Sequence, residues 1–209
     1  MIRSILVVLC MLALLLPGAV QATAQIPDTI EVNGEKLPLN TNPLSAHLKR
    51  IGWAPPEDAV ISTANWRGYV ARWRIDQDQL VLASMTIRVP PEEIKELLPT
   101  LFPDVARVVA DWYSGTLVIP DGSQIRYVHM GYGSTYDHYQ LIRVEAGKVV
   151  EHQAMDAAAF EAYRAAKFEA YQKTAEFQSD FADARKNGMS KREADDFLRS
   201  FSAEQYLSH

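Results

Sequence analysis

Apolar and polar positions alternate through the middle of the chain and recur with helical spacing towards its end. In TIEVNGEKLPL, Thr29 to Leu39, short alternating arms flank Asn33-Gly34. Both of those residues tolerate positive φ, so the stretch predicts a tight hairpin. NPLSAHLKRIGW then predicts a short helix over Leu44 to Ile51, ended by Gly52. From Gly68 to Ile75 the residues Tyr69, Ala71, Trp73 and Ile75 share one face. Asp76 to Gln79 makes a polar turn, and Leu80 to Val89 continues as a strand with Val81, Ala83, Met85, Ile87 and Val89 in phase. Pro90-Pro91 stops it, and EEIKELLPTLF, with acids in its first turn, predicts a short helix.

A second hairpin is expected from Trp112 to Ile119, turning at Pro120-Asp121-Gly122-Ser123 and returning through Gln124 to Met130. A third runs Tyr139 to Val144, turns at Glu145 to Lys148 and returns through Val149-Val150. From Asp156 the chain is alanine-rich and free of proline as far as Asn187-Gly188. Phe160, Tyr163, Phe168, Tyr171, Ala175 and Phe181 fall on one helical arc there. Ser190 and Glu193 form a capping box that opens a further helix over Lys191 to Phe201. The expected fold class is therefore α+β: an antiparallel sheet of about six to eight strands, curled or barrel-like, followed by a C-terminal helical pair. Residues 25–155 form the β-rich domain, and 156–209 a helical segment packed on it or standing as an appendage.

The first residues change the picture. Arg3 precedes an apolar run from Ile5 to Leu16, broken by Pro17-Gly18 and followed by Ala22-Thr23-Ala24. That order reads as a secretory signal peptide over residues 1–24, too short for a membrane span of about 20 apolar residues. A periplasmic or secreted protein with no integral span after cleavage is expected. The single cysteine, Cys10, lies in the leader, so the mature chain has neither disulfide nor thiolate metal site. The net charge of −5 becomes one unit more negative when Arg3 is removed, which argues against a nucleic-acid partner.

The segments VNGEKLPLNTNPL, STANWRGYVARWRI, ADWYSGTLVIPDG and RYVHMGYGSTYD together resemble an uncharacterised family of bacterial, often exported, proteins. The resemblance covers Ile30 to Val150 and implies a shared sheet-rich domain, with no particular chemistry attached.

Candidate chemistry concentrates in RYVHMGYGSTYDHYQ, Arg126 to Gln140. Ser134, His129 and Asp137 can be drawn as a triad, but the strand–turn–helix context of a nucleophile elbow is missing. His129, His138 and Asp137 could supply two imidazoles and a carboxylate to a metal, yet the short ligand spacings of such sites are absent. Neither a metal nor another cofactor is therefore expected. The loop suits recognition better: Tyr132 and Tyr136 offer contact area, and Gly131 and Gly133 allow close approach. The expected contact residues are His129, Tyr132, Ser134, Tyr136, Asp137 and His138. Trp66, Trp73, Trp112 and Tyr113 are expected on neighbouring strands, within the core. The reading is a non-enzymatic binding protein, of the immunity or inhibitor kind or contacting a cell-envelope glycan. The second reading is a small secreted hydrolase or metalloenzyme using His129, Asp137 and His138.

Overall fold

The computed structural model describes residues 23–208. Nearly all of the signal-like leader, with Cys10, lies outside the described residues. The chain forms β1 (Asp28–Val32), β2 (Glu35–Leu39), α1 (Ser45–Arg50), β3 (Val70–Asp76), β4 (Gln79–Val89), β5 (Glu93–Glu96) and α2 (Leu98–Leu101). It continues through β6 (Val108–Val109), β7 (Gly115–Arg126), β8 (Thr135–Glu145), β9 (Lys148–Asp156), α3 (Ala157–Tyr171), α4 (Ala175–Lys186), α5 (Lys191–Phe201) and α6 (Ala203–Leu207). The fold class is α+β. Its single mostly antiparallel sheet has nine strands, ordered β2-β1-β3-β4-β9-β8-β7, with β5 and β6 also paired to β4. It does not close into a barrel, although the Asn40 amide donates to the Val118 carbonyl at 2.8 Å and so joins the end of β2 to β7. Among the described residues no helix is long and apolar enough to cross a membrane.

The hairpin at Asn33-Gly34 forms as expected, with both residues at positive φ. β3 returns beside β1 in the parallel sense, Ile30 opposite Trp73. A parallel neighbour requires a long crossover, and Asn40 to Tyr69 with α1 supplies it. The β3–β4 pair carries one extra residue: Arg72 faces Ser84 while Trp73 faces Leu82. Ala83 is that bulge residue and is exposed, so the apolar phase expected through Val81 and Ala83 shifts. Leu80 and Leu82 are buried before the bulge, and Met85, Ile87 and Val89 after it.

Three further expectations are corrected. Glu93–Glu96 is a strand antiparallel to β4, where a helix was expected. The Glu96 carboxylate accepts from Ser84 Oγ at 2.5 Å and from the Met85 amide at 2.9 Å, so cross-strand partners override local preference. Next, Pro120 to Ser123 does not turn the chain. β7 runs through it with a register shift, and the Asp137 carboxylate takes the Ser123 amide at 2.7 Å. Proline is tolerated there because β7 ends the strand order, on a sheet edge. The hairpin connection is instead residues 127–134, so Tyr127 and His129 belong to the loop and not to an arm.

The long C-terminal helix also breaks in two. Thr174 Oγ1 donates to the Tyr171 carbonyl at 2.7 Å and accepts from the Phe177 amide at 3.1 Å, ending α3 and capping α4. The break exposes Ala175 and turns Phe177 into the core beside Phe168 and Tyr171, with ring centroids 5.9 and 5.4 Å away. The capping box of Ser190 and Glu193 is present as expected. Two apolar clusters result. One lies on the sheet around Trp73, Leu82 and Leu117. The other lies between Val118, Tyr139 and Leu141 of the sheet and Phe160, Phe168, Leu198 and Tyr206 of the helices.

Phe160 stacks on Tyr139 with centroids 3.6 Å apart and joins α3 to β8. Its replacement, Phe160→Ala, is expected to destabilise the protein by about 3–5 kcal/mol. Urea unfolding followed by tyrosine fluorescence and circular dichroism checks this; a loss below about 1 kcal/mol would show that the helices do not depend on this contact.

Candidate functional site

The loop between β7 and β8 spends most of its polar groups on itself. Ser134 Oγ accepts from the Val128 amide at 3.0 Å and sits 3.4 Å from the Val128 carbonyl. His129 Nδ1 meets the Tyr127 hydroxyl at 2.7 Å, on the exposed side of the loop. Asp137 is taken by the Ser123 amide and by His138 Nδ1, 3.3 Å away. Tyr136 gives its amide to the Tyr139 hydroxyl at 2.9 Å and packs edge-on to that ring. Ser134, His129 and Asp137 thus hold different partners, and no triad is assembled. His138 lies in a shallow depression with Asp121 and Asp156. Among the described residues no three His, Cys, Asp or Glu side chains gather closely enough to hold a metal ion.

Tyr132 departs from the other loop residues. Its hydroxyl accepts from Arg67 Nη1 at 3.0 Å and donates to Asn42 Oδ1 at 3.0 Å. This ties its hydroxyl into a polar network around Arg67 while the residue as a whole stays half-buried, and burial raises its hydroxyl pKa. Arg67 Nη2 lies 3.3 Å from Asp28 Oδ1 and donates to the Ile26 carbonyl at 2.9 Å. The Asp28 side chain also accepts from the Ala71 amide at 3.0 Å and from Trp73 Nε1 at 3.1 Å. Burial pushes the Asp28 carboxyl up, while the Arg67 charge and these two donors act against it. Three donors converge on its two oxygens, the environment of an ionised carboxylate. From Asn42 the network continues: the Asn42 amide donates to Glu204 Oε1 at 3.0 Å, reaching α6.

The loop Ser62–Gly68 decides which side chain enters this network. Arg67 turns inward and is 6% exposed, whereas its neighbour Trp66 turns outward and is 56% exposed. Gly68 holds the turn at φ +74°, and a Cβ there would lie 2.6 Å from Pro55. Trp66 therefore corrects the expectation of an all-core tryptophan set. Trp73 is buried, and Trp112 is half-buried with its Nε1 donating to the Pro43 carbonyl.

Trp66 forms one wall of a cleft of about 400 Å³ against the C-terminal helices. Phe197 and Phe201 of α5, stacked with centroids 5.0 Å apart, form another wall. Asp180 and Asp183 of α4 and Glu204 of α6 contribute carboxylates to the lining, and no Lys, Arg or His does. Burial raises the Glu204 carboxyl pKa from its ordinary value, against the opposing pull of the Asn42 amide and the Arg67 charge. None of Asp28, Arg67 or Glu204 carries a local sequence signal. Each becomes notable only when distant segments meet. No known protein family, curated protein or solved structure matches the chain.

The raised Glu204 carboxyl makes stability depend on pH. Folded Glu204 keeps its proton to a higher pH than unfolded Glu204, whose pKa is about 4.3. Stability therefore falls as pH rises from that value through the raised folded one. Glu204→Gln keeps an acceptor for the Asn42 amide and cannot ionise. Relative to wild type, the variant is expected to gain stability as pH is raised across this window, measured by urea midpoints at stepped pH. A difference that stays constant with pH would show that Glu204 does not titrate abnormally.

Proposed function

We propose that the protein is an exported, non-enzymatic binding protein whose face around Trp66 docks on another protein. The observation that carries this reading is a gathering of exposed apolar side chains. Single exposed hydrophobic residues are ordinary, whereas a contiguous group of them marks an interaction surface. Ile26, Val60 and Ile94 line one cleft and are 42%, 39% and 68% exposed. The segment running from Val60 through Ile61 to Trp66 links that cleft to the aromatic pocket. The signal-like leader supplies the export part of the reading, and the acidic mature chain fits a protein partner better than nucleic acid. Branched aliphatic side chains dominate the first cleft, which suits a protein more than the flat stacking platforms that sugars favour.

The test compares wild type with Trp66→Ala in capture from the cell-envelope fraction of the native host. Wild type is expected to retain one stoichiometric protein, and Trp66→Ala to lose it while its melting temperature stays unchanged, because the side chain is exposed. Retention of the same protein by Trp66→Ala, with loss on changing Tyr127 and His129 to Ala, would move the contact surface to the β7–β8 loop. Absence of any partner would count against the reading.

A further inference from the structure

We infer that the pocket between Trp66 and helices α4 to α6 receives the guanidinium end of an arginine side chain from the partner protein. The inference rests on the Trp66 face being the docking surface and names what its aromatic pocket recognises. Three carboxylates line the cleft, Asp180 and Asp183 on α4 and Glu204 at the start of α6. No cationic side chain joins the lining. Arg67 is 3.3 Å from Asp28 and is shared between that carboxylate and the Tyr132 hydroxyl, while the Arg185 guanidinium donates to the carbonyl of Met189, a lining residue. Arg67 is thus committed to Asp28 and Tyr132, and the charge that the pocket lining itself offers is that of Asp180 and Asp183, joined by half-buried Glu204 once it ionises.

The remaining lining fits the rest of such a side chain. Asp180 Oδ2 already accepts from the Tyr171 hydroxyl at 3.0 Å and Glu204 Oε1 from the Asn42 amide at 3.0 Å, which leaves Asp183 and the second oxygen of Glu204 for a guest. Trp66, Phe197 and Phe201 offer ring faces, and a planar guanidinium stacks on such faces while its edge donates to carboxylates. An ammonium lacks that planar match. The cleft's volume of about 400 Å³ accommodates an arginine side chain together with part of its backbone. A metal ion does not fit the arrangement, because the acids do not converge on one point.

The test titrates the full mature chain with n-butylguanidinium and, separately, with n-butylurea, a neutral molecule of similar shape. Binding is followed through the Trp66 indole N–H resonance, assigned by its loss in Trp66→Phe. The cation is expected to shift this resonance saturably and to bind about tenfold more tightly than the urea. Asp183→Asn and Glu204→Gln should each weaken the cation by about fivefold and leave the urea unchanged, with both variants folded by circular dichroism. Equal affinity for the two probes would overturn the inference and leave an apolar docking face in place. A lack of saturable shift with either probe would remove the pocket as an arginine site, while partner capture through Trp66 judges the face separately.

Discussion

The Asp28–Arg67 ion pair is the contact on which the architecture around the pocket turns. Asp28 opens β1, accepts from the Ala71 amide and the Trp73 indole, and so fastens β1 to its parallel neighbour β3. Arg67 extends the same charge pair to the Ile26 carbonyl, the Tyr132 hydroxyl and, through Asn42, towards α6. Both side chains are almost fully removed from solvent. A buried pair of this kind adds little net stability compared with apolar packing, but breaking it leaves an uncompensated charge at a cost of about 3–5 kcal/mol. Its value here is geometric. Arg67 points inward to meet Asp28 while its neighbour Trp66 points outward, so the exposed face borders the buried pair.

The second constraint is aromatic. Tyr139 and Phe160 stack between sheet and helix, and Phe168, Tyr171, Phe177 and Tyr206 continue that layer through α3, α4 and α6. Arg164, buried among them, donates through Nε to the Tyr206 hydroxyl at 3.2 Å. The chain end is tied back where the Thr116 amide donates to the Ser208 carbonyl at 2.7 Å. These contacts fix α6 against α3, α4 and the β7 edge of the sheet. Gly131 takes part as well, since a Cβ there would come within 2.9 Å of the Ser200 carbonyl. The pocket is thus a junction of two regions far apart in sequence, the Trp66 loop and the C-terminal helices.

Much of this fold is legible in the sequence because it is written in short-range chemistry. Asn33-Gly34 turns the first hairpin, the alternation from Tyr69 to Ile75 buries the right face, and Ser190 with Glu193 caps α5. Failures arise where a distant partner decides. Pro120 to Ser123 has the composition of a turn, yet Asp137 across the ladder holds it extended. Glu93 to Glu96 resembles a helix start, yet Ser84 and Met85 draw Glu96 into a strand. Thr174 inside an alanine-rich run gives little local warning that it caps a new helix. The loop at Met130 to His138 draws attention by composition, but most of its polar groups hold the loop together and Tyr132 serves the buried network. Asp28, Arg67 and Glu204 look like ordinary surface charges until the chain is folded, so the pocket behind Trp66 has no linear signature.

Native-state hydrogen exchange in Asp28→Asn probes the role of the ion pair most directly. The substitution keeps an acceptor for the Ala71 amide or the Trp73 indole but deprives Arg67 of its counter-charge. The Gln25 and Ile26 amides, bonded to the Gly131 and Ala64 carbonyls at 3.0 and 2.8 Å, report on the segment that Arg67 tethers. If the pair organises the face, both amides exchange faster by about tenfold or more, while the Leu141 amide, remote from the pair within β8, changes only with global stability. Unchanged exchange at Gln25 and Ile26 would show that the Trp66 face stands without the Asp28–Arg67 pair.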